Sequence, residues 1–129
     1  MTTTFETSKE LAKYVRIETK FIWKDGSTLI GTRNTIDIPK NSLNIKQQIP
    51  EEILSKYIVY PAPTLEELLK VSPIDIIIGS RELQNSIHYR YRDNKGTLYT
   101  NPLGFQCSKS ESLVESVAKI ILEYYRGKE

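Results

Sequence analysis

The 129-residue sequence holds one cysteine, Cys107, and one histidine, His88. A lone cysteine cannot close an internal disulfide, and one residue of each kind cannot build a Cys/His zinc cage, so a reducing compartment and no metal are expected. Nucleophilic catalysis is poorly served too. His88 is the one imidazole that could activate Cys107 or a serine, and the two fall on separate predicted elements. Glycine-rich phosphate loops are missing, because Gly26 and Gly31 have no lysine and helix placed to use them. Charge of one sign is also missing. With 18 basic against 16 acidic residues the net charge is +2, so any attraction to nucleic acid or anionic lipid must be local. Apolar runs are short: Met1 to Glu10 lacks the core of a signal peptide, and Ile76 to Ile78 falls far below a membrane span. These absences lead us to expect a cytoplasmic, non-enzymatic protein with no cofactor and no membrane attachment.

What is present is enough for an ordered core. Hydrophobic residues make up 39% and charged residues 26%, an ordinary globular balance, and a chain of this size buries roughly two thirds of its unfolded surface. Three Thr/Ser-x-x-Glu patterns read as capping boxes, which satisfy backbone donors reciprocally at a helix start: Thr7 with Glu10, Thr64 with Glu67, and Ser108 with Glu111. Leu11, Ala12 and Val15 follow the first. Leu65, Leu68 and Leu69 follow the second, until Pro73 stops the helix. Behind the third, Leu113, Val117, Ile120, Ile121, Tyr124 and Tyr125, with Val114 and Ala118 beside them, recur at helical spacing up to a cap at Gly127. A further turn is predicted at Pro50, with Glu51 and Glu52 behind it.

Strand signals lie between. Lys20 to Trp23 and Thr28 to Gly31 flank an Asp25-Gly26 hairpin turn, with Thr35 to Ile38 as a third strand and 39–50 as a loop. Tyr57 to Tyr60 forms a brief pairing segment. Ile74 to Ile78, Ser86 to Arg92 and Thr97 to Thr100 make a second group, the last two joined through Asp93-Asn94-Lys95-Gly96. Hairpin-linked strands with helices outside predict an α+β fold: an antiparallel sheet with a long C-terminal helix packed on one face, in the order α-β-β-β-α-β-β-β-α. One domain over 1–129 is expected, with the loop able to divide lobes at 1–50 and 51–129.

Paired acids occur as Glu51 with Glu52 and Glu66 with Glu67, but both pairs sit in first helical turns, where the dipole explains them. Glu18-Thr19-Lys20 has the spacing of a nuclease motif without a preceding strand aspartate. The sharper pattern is in Ser86 to Asp93. Ile87, Tyr89 and Tyr91 face one way while His88, Arg90 and Arg92 face the other, with Arg81 and Lys95 extending the basic side. This pattern admits a soluble strand face or a contact surface for phosphates or an acidic protein. Eight tyrosines outnumber three Phe and one Trp, and tyrosine suits half-exposed edges and interfaces. The candidate interaction surface is therefore His88, Arg90, Arg92, Lys95, Tyr57, Tyr60, Tyr124 and Tyr125.

The segment Tyr60-Pro61-Ala62-Pro63-Thr64-Leu65-Glu66-Glu67-Leu68-Leu69 resembles one in small uncharacterised proteins encoded by phages and mobile elements of gut-type bacteria. Their layout is similar over most of the chain: a short helix after an N-terminal Phe, an aromatic hairpin, and a charged C-terminal helix. The helix-strand-strand-strand-helix order from Thr64 to Arg126 is similar to double-stranded RNA-binding domains. Those domains open their last helix with a lysine cluster, whereas Ser108-Lys109-Ser110-Glu111 offers one lysine. The resemblance and the residues together imply a non-enzymatic interaction protein of phage or mobile-element type, binding a host protein or itself. RNA binding through the basic strand face is the alternative, and an enzyme using Cys107 or a carboxylate pair ranks third.

Overall fold

The structure, a computed structural model, describes residues 1–25, 41–55, 57–80, 84–101, 105–108 and 112–127, with Ile53 and 105–108 taken for their backbone. The chain divides into two compact units, Thr2–Pro63 and Thr64–Glu129 with Met1.

The N-terminal unit opens with helix α1, Phe5–Ala12, capped by Thr4, whose hydroxyl accepts from the Thr7 backbone N–H. The helix thus begins a turn before the predicted Thr7/Glu10 box. Phe5 gives the reason: its ring meets Trp23 and Tyr60 edge-on, at 6.2 and 5.8 Å between centroids, so ring packing holds the first turn in place. Buried Thr3 and Ser8 share a hydroxyl hydrogen bond, and Trp23 Nε1 donates to Thr3 O at 2.9 Å. Strand β1, Phe21–Asp25, is central, flanked by β2, Asn41–Ile45, and β3, Val59–Ala62, both antiparallel. Part of the expected 39–50 loop is therefore strand, followed by a 3-10 turn at Lys46–Gln48. Asn41, Ser42 and Asn44 hide it in the sequence, because these residues favour turns, and its pairing comes from β1 rather than from propensity. The short helix α2, Glu51–Leu54, follows Pro50 as predicted. Since β3 pairs with β1, the division falls after Pro63 and not at residue 50. The predicted strands Thr28 to Gly31 and Thr35 to Ile38, with most of their hairpin turn, lie outside the described residues.

The C-terminal unit begins where sequence and structure agree best. Helix α3, Leu65–Val71, carries both halves of the Thr64 box: Thr64 N donates to Glu67 Oε1 at 2.9 Å, and Glu67 N donates to Thr64 Oγ1 at 3.3 Å. Strands β4, Asp75–Ser80, β5, Gln84–Arg92, β6, Leu98–Thr100, and β7, Phe105–Ser108, form an antiparallel sheet centred on β5. The last strand was not expected. It puts four strands between the helices, a departure from the three-strand order that resembles RNA-binding domains. Helix α4, Leu113–Arg126, closes the unit. Ser108 ends β7 instead of capping this helix, so the third capping box does not form. Ser112 stands at the N-cap without a side-chain bond, and Glu111 is outside the described residues.

Helix α4 buries Val114, Val117, Ala118, Ile120, Ile121, Leu122 and Tyr124. It packs against α3 and over one sheet face, where Tyr124 stands edge-on to Tyr91 of β5 at 4.9 Å. Ile87, central in β5, is fully buried, a contribution of about 2–3 kcal/mol. The fold is α+β with antiparallel strands and a C-terminal helix on one face. Its strands are shared between two sheets.

Candidate interaction surface

Strand β5 is nine residues long because both of its edges are used. One edge pairs with β4 from Asp75↔Arg90 to Ser80↔Asn85. The other is divided: Arg90 to Arg92 pair with β6, and Gln84 to Ile87 pair with β7. Asn101 spans the gap between these two partners. Its Oδ1 accepts from the Tyr89 backbone N–H at 2.7 Å, and its Nδ2 donates to Ile87 O at 2.9 Å. One carboxamide thus supplies the donor and the acceptor that a strand backbone would otherwise provide.

Residues directly opposite in an antiparallel pair share a face, so the register defines the outer surface. His88 lies opposite Ile77, Arg90 lies between Asp75 and Thr100, and Arg92 lies opposite Leu98. Ile77 is 70% exposed and Leu98 41%. Arg90 and Arg92 are exposed and His88 is half-buried. Arg92 Nη1 donates to Gly96 O at 3.0 Å, whereas Arg90 has no ion-pair partner among the described residues. The result is a patch of two apolar side chains among cationic ones, with Asp75 the acidic residue in register.

The β5–β6 turn fixes one end of the patch. Asp93 Oδ1 accepts from the backbone N–H groups of Lys95 and Thr97, at 2.9 and 2.8 Å, and Gly96 adopts φ +83°. That conformation suits glycine, so the turn is specified by Asp93 and Gly96 together. Lys95 is exposed at its tip.

The other candidates stand on other elements. Tyr57 and Tyr60 belong to the N-terminal unit, where Lys24 Nζ sits 4.6 Å from the Tyr57 ring and the Tyr60 hydroxyl donates to Asp25 Oδ2 at 3.3 Å. Tyr124 is buried against Tyr91, on the sheet face opposite His88, and Tyr125 is half-buried beside it at 5.3 Å. Cys107 lies within β7 opposite Asn85, and not directly before a helix as the expected Ser108/Glu111 capping box would place it. Arg81 is outside the described residues. Within the C-terminal unit, therefore, the candidates do not all share one face. His88, Arg90, Arg92 and the turn with Lys95 are brought together. Sequence reasoning missed Ile77, although strand alternation sets it on the face opposite Ile76 and Ile78.

The acids follow their helix-start reading. Glu51 and Glu52 open α2, Glu66 opens α3 and Glu67 is spent on the capping box. Glu18 and Lys20 line a cavity of about 620 Å³ with Lys46 and Glu51 in the N-terminal unit. Glu18 pairs there with Lys46 at 3.4 Å, and solvent-exposed pairs of this kind contribute about 0–1 kcal/mol. Among the described residues no three His, Cys, Asp or Glu side chains gather as a metal site, and no helix is long and apolar enough to cross a membrane. No protein-family model, curated protein or solved structure significantly matches the chain.

Proposed function

We propose that the chain is a cytoplasmic, non-enzymatic interaction protein, of the kind phages and mobile elements encode, that docks an acidic protein partner on the outer face of β4, β5 and β6. The observation that carries this reading is Ile77, exposed on edge strand β4 opposite His88 of the central strand, with Arg90 the next residue on that face of β5 and Arg92 and Leu98 further along it. A large exposed aliphatic residue with a charged surround is the composition of a small interface: the apolar centre loses water on docking while the rim selects for charge. The nearly balanced net charge supports a local contact over general attraction to polyanions.

The test compares Ile77→Asp and Arg90→Glu with a control at the exposed Lys119 of α4, Lys119→Glu, in affinity capture from a bacterial lysate split into nuclease-treated and untreated arms. We expect a protein captured by the parent chain to survive nuclease, to persist with the control, and to be lost with both surface variants. Capture indifferent to Ile77→Asp and Arg90→Glu overturns the proposal. Capture that disappears with nuclease and weakens steeply with salt replaces it with the nucleic-acid reading. Concentration-dependent mass in sedimentation, abolished by Ile77→Asp, would make the partner a second copy of the chain.

A further inference from the structure

On the opposite face of the same sheet, at the C-terminal end of α4, lies a cavity of about 150 Å³ lined by Tyr91, Asp93, Tyr99, Tyr124 and Gly127. Among the described residues, the lining offers aromatic rings and negative charge. Tyr91 and Tyr99 are directly opposite across β5 and β6, with rings stacked at 5.0 Å, and Tyr124 reaches down from α4 at 86° to Tyr91. The stack turns faces of Tyr91 and Tyr99 toward each other, and Tyr99, its end ring, keeps an outer face that carries the negative part of the aromatic quadrupole. Asp93 Oδ2 accepts from the Tyr99 hydroxyl at 3.2 Å, while its Oδ1 is already occupied by the two turn N–H groups. Those bonds, that from Thr97 first, hold Asp93 below the usual carboxylate range, so it is anionic at neutral pH.

Gly127 adds the end of a 14-residue helix, where the last carbonyls lack intrahelical donors and the dipole is negative. Glu123, one turn earlier, acts on Tyr91 with the same sign. Arg126 precedes Gly127 but does not line the cavity. The described lining offers an anion no positive charge. Among the described lining residues a bare metal ion would find one carboxylate, most of whose acceptor capacity is used in the turn, where hard cations take several oxygens. A primary ammonium would need three acceptors. A quaternary ammonium needs none, and diffuse negative charge from rings, a carboxylate and a helix end is what stabilises it.

We propose that this cavity binds a quaternary ammonium head group. Its size agrees: about 150 Å³ holds a benzene-sized group, and a trimethylammonium head is slightly smaller. The substituent would leave past Tyr99, the rim ring, which is 43% exposed. Two sources share this chemistry, a free choline-type cation and a trimethylated lysine side chain.

The test is an NMR titration of the full chain with choline, with a trimethyllysine peptide, and with 3,3-dimethyl-1-butanol, the uncharged shape analogue of choline, at constant ionic strength. Choline or the peptide should give saturable shifts in the rings of Tyr91, Tyr99 and Tyr124, with the uncharged analogue about tenfold weaker. Asp93→Asn keeps an acceptor for the turn while removing the charge, and should weaken binding about tenfold. Tyr99→Leu should weaken it by a similar factor, while Tyr99→Phe, which keeps the ring face, should retain most of the affinity. The tighter of the two ligands identifies the source. Equal binding of choline and its uncharged analogue, an absence of saturable shifts with both cations, or unchanged affinity in a folded Asp93→Asn protein overturns the proposal.

Discussion

Ile77 and Ile87 are isoleucines on neighbouring strands of one sheet, yet the first is 70% exposed and the second fully buried. The face that holds Ile87 carries a run of tyrosines, with Tyr89, Tyr91 and Tyr99 stacked in sequence and Tyr124 against them. The face that holds Ile77 carries His88, Arg90 and Arg92. The same alternation along β5 generates both, because a strand sends successive side chains to opposite sides. What differs is the covering: α4 of the same unit lies over one face, while on the other Ile77 and Leu98 stay exposed. Aromatic stacking therefore serves the unit's own stability, whereas the apolar side chain on the other face gains no such burial.

The sharpest way to break this comparison is to truncate both isoleucines. Ile87→Ala should cost about 3 kcal/mol, the lost transfer energy plus a cavity that a packed sheet cannot close. Ile77→Ala should cost less than about 0.5 kcal/mol, as surface truncations do. Urea denaturation curves of the two variants measure the difference, and similar costs would mean that the outer face is covered in the folded protein.

Next in size is Asn101, the side chain that lets β5 keep two partners on one edge. Asn101→Leu leaves the Tyr89 N–H and the Ile87 carbonyl without their observed bonds, a loss of about 2 kcal/mol. Asn101→Asp separates the two halves, since a carboxylate still accepts from Tyr89 but cannot donate to Ile87. It should fall between the parent and the leucine variant. Amide hydrogen exchange at Tyr89 reads the effect directly: faster exchange is expected in Asn101→Leu, and unchanged protection would show that the bond contributes nothing. Smaller again is Gly96→Ala. At φ +83° a Cβ is strained although nothing lies within 4 Å of it, so a loss of about 1 kcal/mol is expected in the same urea assay.

How much of this could be read from the residues depends on how local the cause is. The Thr64 box and the β5 alternation were legible because each is fixed by side chains a few positions apart. The α1 start was misplaced by three residues because it is decided by Phe5 meeting Trp23 and Tyr60, which are distant in sequence. Strand β2 was missed because Asn41-Ser42-Leu43-Asn44-Ile45 has little strand propensity and depends on β1 for its pairing. Strand β7 was missed for a similar reason: it fills the half of the β5 edge that β6 leaves open, and only the length of β5 hinted at that vacancy. For the surface, the basic alternation was visible, but Ile77 joins it through cross-strand register, which a single strand does not encode.

The smallest effects come from the tyrosines themselves, and they separate burial from charge on the covered face. Tyr91 ionises above its ordinary value near 10, first because it is buried and then because Tyr89 and Tyr99 crowd it. Tyr99 is raised for another reason, its hydroxyl bond to Asp93 and the charge of that carboxylate. A phenol whose pKa is higher in the folded than in the unfolded chain stabilises the fold fully below pH 10, and that contribution is lost as pH rises through the folded value. Asp93 has the opposite sign: its depressed pKa stabilises above the ordinary carboxylate range near 3.8, and the contribution fades as pH falls below it. Asp93→Asn distinguishes the causes. In an NMR titration of the rings it should bring Tyr99 back toward 10 while Tyr91 stays raised, because its largest cause, burial, does not involve Asp93. If both returned together, the stack would owe its titration to one shared charge, and the burial that distinguishes this face from the Ile77 face would have to be reconsidered.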